Sequence, residues 1–372
     1  MMKLAAGIFA TGLSLTPAIL VAQGDWTGVD AFWRIHDVLK SGREPSEAVW
    51  SSLMTTPGYA MLEARERRGD ALRRAFRLAY HPGLQDSLVA AMRTDSWVGY
   101  TLPHLLDVSR DRQAINTFRE RVKDLNALDS GAVLAQAWLP AGTVAALPEA
   151  PVSWAVFRDA RGYPRIVLDP HYVMRHGAPY ELLGHELHHN YRNRIARSMR
   201  SFGNDLLPWA LVNVEVEGIA GLIDKREVLA LDEAGRRQRY PAGSSGSDYF
   251  LAYPGVYADS PRWLRFADSM LVVIGATPDS AQRDAKGRHL HGTLPDNGRA
   301  MGAWMSEAII ATLGKARLLA VVGDPFEFWF TYDEAARRSS SLYQPLSSAA
   351  LAVIRDLQAK YELAAGRFPA ER

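Results

Sequence analysis

The segment that most constrains the fold is a helix-compatible stretch in the middle of the chain, PWALVNVEVEGIAGLIDK, residues 208–225. From Trp209 to Ile223 its only clearly polar side chains are Asn213, Glu215 and Glu217. A helix that is apolar around its whole circumference lies inside a core, and a carboxylate buried there is costly unless it is paired or binds a metal. The sequence therefore predicts other elements packed all around this helix, and a specific partner for its carboxylates.

Helical spacing of apolar residues dominates most of the remaining chain. It runs from Val29 to about Leu125, with Phe32, Ile35 and Leu39 as an example. Further helices are expected at 179–196, 206–228, 247–276, 299–314, 325–338 and 346–363. The segments 235–248 and 281–298 are rich in Gly, Ser, Pro, Arg and Asp, so we expect surface loops there.

Short β-rich runs interrupt the helices between Ala132 and Pro170. They are Val133–Leu139, Val152–Phe157 and Arg165–Leu168, and the turn-like residues 159–162 are expected to join the last two as a hairpin. The expected fold class is α+β and mainly α-helical, with a small antiparallel sheet preceding a helical active-site core.

The N-terminus has the pattern of an export signal. One lysine precedes an uncharged run from Leu4 to Ala22, and polar sequence begins at Gln23. We expect a signal peptide at 1–22, a helical region at 23–130 and a second domain at 131–372. The protein would then be secreted or periplasmic, with no stable membrane insertion after cleavage. A retained membrane anchor is the weaker alternative, because glycines and a proline dilute the apolar run.

Composition restricts the partners and the metal ligands. The chain has 372 residues, 48% of them hydrophobic, and 43 basic residues against 41 acidic ones. This balance gives no electrostatic footprint for nucleic acid. An arginine-rich run at 65–77 is interleaved with acidic residues, so a solvated helix face is expected there. Cysteine is absent, which leaves His, Asp and Glu to bind any metal.

The segment Gly184-His185-Glu186-Leu187-His188-His189 contains the pattern H-E-x-x-H. On a helix, residues four apart lie on one face, so His185 and His189 can direct their imidazoles at one zinc ion. Glu186 projects from the neighbouring stripe, where it can act as general base toward a metal-bound water without being a ligand.

A catalytic zinc with three protein ligands needs one more group, and the apolar helix supplies it. Glu217 shares a stripe of polar or small residues with Asn213, Gly221 and Asp224, whereas Glu215 shares its stripe with large apolar residues. We therefore expect Glu217 to be the third ligand. Glu215 stays an alternative, or a residue that orients a ligand histidine.

The combination of H-E-x-x-H with E-G-I-A-G in the next helix resembles the gluzincin pattern. Residues 130–340, with VEGIAGLIDK and the later segment RAMGAWMSEAIIATLGKARLLAVVGDPFEFWFTYDEAA, resemble a bacterial family of zinc-dependent peptidases with unknown substrate. The resemblance implies a zincin-like domain with His185, His189 and Glu217 as zinc ligands and Glu186 as base. Thermolysin-like enzymes carry an aspartate four residues after the ligand glutamate; this chain has Gly221 there, so Asp224 or Asn213 would have to take that role.

The expected activity is hydrolysis of a peptide or protein substrate. The donor that stabilises the oxyanion is open between Tyr253, Tyr257 and His291. Of the other histidines, His188 is expected to pack or hydrogen-bond, and His171, His176 and His289 to lie in surface loops. The aromatic group between Phe326 and Tyr332 is expected in the core.

Two other functions fit the same motif. The first is a zinc amidase acting on a small or cell-wall amide, because the same ligands serve any acyl–nitrogen cleavage. The second is an inactive binding protein stabilised by zinc. Glu186 argues against the second, because a structural site needs no base at that position.

Overall fold

The computed structural model describes residues 24–124, 127–147 and 150–367. The predicted signal peptide lies outside these ranges. Helices dominate the described chain and one small sheet precedes the H-E-x-x-H helix, which confirms the expected α+β, mainly helical class. The predicted domain boundary near residue 130 stays a prediction.

The N-terminal region is helical, as its periodicity predicts. Its α-helices are α1 (Thr27–Lys40), α2 (Glu47–Met54), α3 (Pro57–Glu66), α4 (Gly69–Tyr80), α5 (Gln85–Thr94), α6 (Ser96–Arg110) and α7 (Arg112–Asp124). In α4 the spacing of Leu72, Phe76 and Ala79 places all three in the core. The arginines of the opposite face form exposed ion pairs, for example Arg73 with Glu47 and Arg77 with Glu44.

The strand prediction for Val133–Leu139 is wrong. Two short helices precede the sheet, α8 (Ala127–Gln136) and α9 (Thr143–Ala146). Val and Leu favour strands only where they meet a pleated surface. Here Gly131 of α8 lies against Leu183 and Leu187 of the H-E-x-x-H helix, so tertiary packing fixes the segment as a helix.

The sheet is mixed and not purely antiparallel. It contains β1 (Val152–Trp154), β2 (Ala160–Gly162) and β3 (Ile166–Leu168) in the order β1-β3-β2, with β1 parallel and β2 antiparallel to the central β3. The predicted turn at 159–162 is therefore wrong, because most of it is edge strand. The sequence of residues 159–162 resembles a turn because it contains Asp, Arg and Gly, but Ala160 and Gly162 are buried.

Three helices and a strand follow the sheet: α10 (Pro170–Met174), α11 (Pro179–Ile195), β4 (Arg197–Met199) and α12 (Leu206–Asp224). Pro179 occupies the first turn of α11 as predicted. Helix α12 is the constraining segment. Among the described residues, α12 is the one helix long and apolar enough to cross a membrane, but 72% of an 18-residue stretch of it is buried inside the protein, as expected of a core helix.

The rest of the chain is helical and ends in a short strand. It forms α13 (Arg226–Ala230), α14 (Glu233–Arg239), α15 (Ser247–Ala258), α16 (Ser260–Gly275), α17 (Ser280–Thr293), α18 (Arg299–Leu313), α19 (Lys315–Ala320), α20 (Pro325–Arg338), α21 (Ser348–Tyr361) and β5 (Glu362–Arg367). Strand β5 pairs with β4 in an antiparallel ribbon. The expected helices at 206–228 and 247–276 are each divided in two.

The two predicted loops, 235–248 and 281–298, are wrong in part because α14 and most of α17 lie there. Asp232 accepts a hydrogen bond from Gly235 N at 2.7 Å, and Asp279 accepts one from Gln282 N at 2.8 Å. Both carboxylates therefore cap a helix start. Residues 240–246 remain a loop.

Helices α12 and α18 cross at two glycines. A Cβ placed on Gly218 would meet the backbone of Gly302, and a Cβ on Gly302 would meet the carbonyl oxygen of Val214. Glycine lets the two backbones touch. This crossing brings the start of α18 beside the polar stripe of α12.

Candidate metal centre

Helix α11 presents His185 and His189 on one face, one turn apart. Their Nε2 atoms lie 2.9 Å from each other, and both residues are buried. Imidazoles this close inside a protein repel each other if both are protonated, so the two rings together hold one extra proton at most, or they share a bound cation.

Helix α12 supplies the third group from the predicted position. Glu217 Oε2 lies 3.5 Å from His185 Nε2, and Glu217 Oε1 lies 3.6 Å from His189 Nε2. One ligand atom of each residue lies within 4.8 Å of the others.

Glu215 has a different environment. It is fully buried, pairs with Arg192 and accepts a hydrogen bond from Gly323 N at 2.9 Å. The structure therefore gives Glu215 a structural partner and places Glu217 beside the histidines.

The residues present fit a zinc ion. Two imidazole nitrogens and one carboxylate oxygen are the donor set of many catalytic zinc sites. Glu217 Oε2 is buried and, among the described residues, forms no hydrogen bond of normal geometry, although Arg299 Nε lies 3.0 Å away. The oxygen is therefore ion-paired but keeps a lone pair that a cation between the three groups could use.

Asp224 orients the first histidine, at the end of the helix that carries Glu217. Its Oδ1 lies 3.1 Å from His185 Nδ1, which directs Nε2 toward the site. Lys225 Nζ lies 2.7 Å from Asp224 Oδ2. Burial lowers the pKa of His185, but Asp224 outweighs burial and raises it to about 9.

Arg299, the first residue of α18, faces the third ligand position. Its Nε lies 3.0 Å from Glu217 Oε2. Burial raises the pKa of Glu217, but the charges of Arg299 and His189 outweigh burial and hold it well below its usual range. Sequence reasoning missed Arg299; a lone arginine opening an apolar helix was the available signal.

Glu186 follows His185 on α11 and is buried against strand β2. A Cβ on Gly162 of β2 would meet the Glu186 backbone and come within 2.7 Å of His189 Cβ and 3.1 Å of Glu186 Oε2. Asn190 Nδ2 donates to the carbonyl of Tyr163 at 2.6 Å. These contacts hold the edge strand β2 directly against α11.

Arg161 of β2 lines the same cavity as Glu186 and is positively charged. It pairs with Glu66 at 2.9 Å and with Asp159 at 2.5 Å. Burial lowers the pKa of Arg161, but Asp159, Glu66 and Glu186 outweigh burial and raise it. Sequence analysis missed Arg161 because residues 159–162 were predicted to form a turn.

These groups open into a cavity of about 1370 Å³, lined by His185, Glu186, His189, Glu217 and Arg299 among others. Of the three oxyanion candidates, His291 lines the cavity, and its Nε2 lies 3.5 Å from Asn213 Nδ2. Tyr253 packs in a small second cluster with Tyr240 and Phe250, and Tyr257 packs at its edge. Neither tyrosine lines this cavity.

The other histidines only partly match expectation. His188 bonds the carbonyl of Trp138 at 3.1 Å, as a packed histidine should, and His289 is exposed but helical. The surface-loop prediction is wrong for His171 and His176, which are buried; His171 lies in α10 and bonds Asp111 at 2.9 Å. The aromatic group is core as expected, with Phe326, Phe328, Trp329 and Tyr332 buried.

Comparison with known proteins gives one match. A model of the family DUF5700, described as "Putative zinc dependent peptidase", matches residues 50–341, which include both histidines, Glu186 and Glu217. No curated protein and no solved structure gives a significant match.

Proposed function

The chain belongs to the family DUF5700, and from that premise we propose that it is a secreted zinc peptidase of the gluzincin type. The observation that carries this proposal is the convergence of His185, His189 and Glu217 within 4.8 Å, with Glu186 beside them in one cavity. The N-terminal export pattern supports secretion.

Each residue has a defined task in the proposed reaction. His185, His189 and Glu217 would hold the zinc ion, which supplies Lewis acidity toward the scissile carbonyl and acidifies the attacking water. Glu186 takes a proton from that water and passes it to the leaving amine nitrogen. Asp224 keeps His185 in the tautomer that leaves Nε2 free to bind metal.

The cavity offers a candidate donor for the oxyanion and a candidate binding strand for the peptide substrate. His291 is the proposed oxyanion donor, because it is the one of the three candidates that lines the cavity. Burial lowers its pKa, which favours the neutral ring with one N–H to donate. Strand β2 is the proposed site for an extended peptide. The N–H and C=O of Ala160 already bond Asp159 Oδ1 and Arg161 Nη1, both at 2.8 Å, so pairing would begin at Gly162.

The test compares wild type with Glu186→Gln for zinc content after dialysis and for cleavage of an unbiased peptide library. We expect about one zinc per chain in both proteins, and cleavage that falls at least about 10²-fold in the variant. Zinc without cleavage in either protein would favour a binding protein. Cleavage restricted to small amides would favour an amidase.

A further inference from the structure

Arg158 differs from most of the other cations that line the cavity. Among the described residues, no carboxylate lies within 4.0 Å of its guanidinium or of that of Arg65, which is exposed, whereas the remaining lysine and arginines of the lining have an acidic partner within that distance. These paired cations are Arg68 and Arg161 with Glu66, Arg175 with Asp107, Lys225 with Asp224, and Arg299 with Glu217. The Arg158 guanidinium carbon instead lies 3.7 Å from the centre of the Tyr100 ring.

The backbone at Arg158 is held in a conformation that side chains rarely adopt. Its φ is 70°, in the left-handed region where glycine is usual. Buried Asp169 accepts hydrogen bonds from Phe157 N at 2.7 Å and Arg158 N at 2.8 Å. The Tyr59 hydroxyl donates to the carbonyl of Val156 and accepts from its N–H, both at 3.0 Å. Such conformations persist where surrounding structure enforces them, and they concentrate at ligand sites.

A guanidinium stacked on an aromatic ring is prepared to bind an anion. Contact with the ring limits the motion of the guanidinium and leaves N–H groups available, and two of these match the two oxygens of a carboxylate. Tyr100 is 51% exposed and also lines the cavity, so it forms a platform open to solvent. The cavity is large enough for several peptide residues.

We infer that Arg158, stacked on Tyr100, binds a carboxylate of the peptide substrate and sets a preference for peptides that carry one at a fixed distance from the scissile bond. This inference rests on the proposed peptidase function. The carboxylate belongs either to an acidic side chain or to the free C-terminus, and both present the same two oxygens to the guanidinium.

Matched peptides separate the two sources. One pair differs only in a C-terminal acid or amide, and a second series, all amides, moves one Glu or Gln along the chain on each side of the cleaved bond. With zinc-loaded wild type we expect KM at least about tenfold lower for the anionic member of one pair. The pair that shows the difference identifies the source.

Arg158→Met keeps the Cβ and the backbone conformation while removing the charge. We expect it to abolish the preference by raising KM for the anionic peptide, with kcat and the neutral peptide little changed, and Arg158→Lys to keep part of the preference. The matched control is Arg73→Met, another arginine stacked on a ring, Trp50, away from the cavity. It should retain the full preference.

Binding to the Glu186→Gln protein tests the inference without turnover. A fluorescent acidic peptide should bind it more tightly than the neutral analogue, and Arg158→Met in the same background should remove the difference. Cleavage by wild type with no acidic preference would overturn the inference and leave the peptidase function intact. Arg158-dependent binding without cleavage in wild type would overturn the function and leave the carboxylate site.

Discussion

At the scale of single residues, Asp224 lies between two groups that compete for its oxygens. His185 Nδ1 lies 3.1 Å from Oδ1, and Lys225 Nζ lies 2.9 Å from the same atom and 2.7 Å from Oδ2. All three side chains are buried. Burial raises the pKa of Asp224, but Lys225 and His185 outweigh burial and lower it. The carboxylate therefore stays charged and can fix the imidazole.

We predict that Asp224→Asn weakens zinc binding about 10- to 100-fold, because a neutral amide holds the ring less firmly and makes it a poorer ligand. Competition with a chromophoric chelator measures the affinity. Lys225→Met is the matched control, since it removes the other partner of Asp224 and leaves the bond to His185. An affinity unchanged in Asp224→Asn would contradict the orienting role.

The part of the candidate site that depends on spacing within a single helix was predictable from sequence. The stripe argument places Glu217 beside the histidines, and the i, i+4 spacing places His185 and His189 together. The partners of Glu215 could not be predicted, because Arg192 and Gly323 N meet it only in the folded core. Arg299 and Arg158 were missed for the same reason: their roles depend on contacts between distant segments.

At the scale of elements, helices with long apolar periods were predictable and short segments were not. Helix α20 has the expected range 325–338, and Asp324 caps its start by accepting a hydrogen bond from Glu327 N at 3.1 Å. Helices α14 and α17 were assigned to loops because their polar residues mask the periodicity. Strand β2 has three residues, too few to show alternation, and only its packing against α11 defines it.

The crossing of α12 and α18 gives a prediction at this scale. Gly302→Ala would force a methyl group into the carbonyl of Val214 and should lower the free energy of unfolding by about 1–3 kcal/mol. Chemical denaturation of the metal-free protein measures the change. Because Gly302 contacts the backbone of Gly218, the neighbour of Glu217, separation of the helices would also shift Glu217 relative to the histidines, so we expect weaker zinc binding in this variant.

Gly292→Ala is the control for the loss of a helical glycine. Gly292 lies on α17, is exposed, and a Cβ there would meet nothing within 4 Å. Alanine should stabilise that helix by about 0.5–1 kcal/mol. Equal effects of the two substitutions would mean that the helices do not cross in backbone contact.

At the scale of the whole molecule, Asp169 joins the N-terminal helices to the sheet and to the metal region. It is fully buried and accepts from His104 Nε2 of α6 at 2.8 Å and from His171 N and Tyr172 N of α10 at 2.9 Å. Asp169 also accepts hydrogen bonds from Phe157 N and Arg158 N, and so it fixes the loop that connects β1 to β2. Burial raises the pKa of Asp169, but His104 and the backbone donors outweigh burial and lower it to about 2.

This pKa predicts acid sensitivity of the fold. Asp169 has a usual pKa of 3.8 and one of about 2 in the folded protein, so its contribution is present above pH 4 and is lost as the pH falls from about 4 to 2. That contribution is about 2 kcal/mol. The free energy of unfolding of metal-free wild type and Asp169→Asn, measured across this range, should converge by that amount on acidification. Parallel curves would show that Asp169 does not carry this dependence.

The ligands come from two helices, and the arginine facing them comes from a third. An extended chain can offer a metal no more than the local histidine pair, because Glu217, Asp224 and Arg299 reach His185 and His189 only after α11, α12 and α18 have docked. At the proposed site, uptake of an ion would consequently be one of the last events of maturation. The metal pool sampled would be that of the compartment in which folding finishes, so expression route and not affinity alone would decide which divalent cation is found in purified protein.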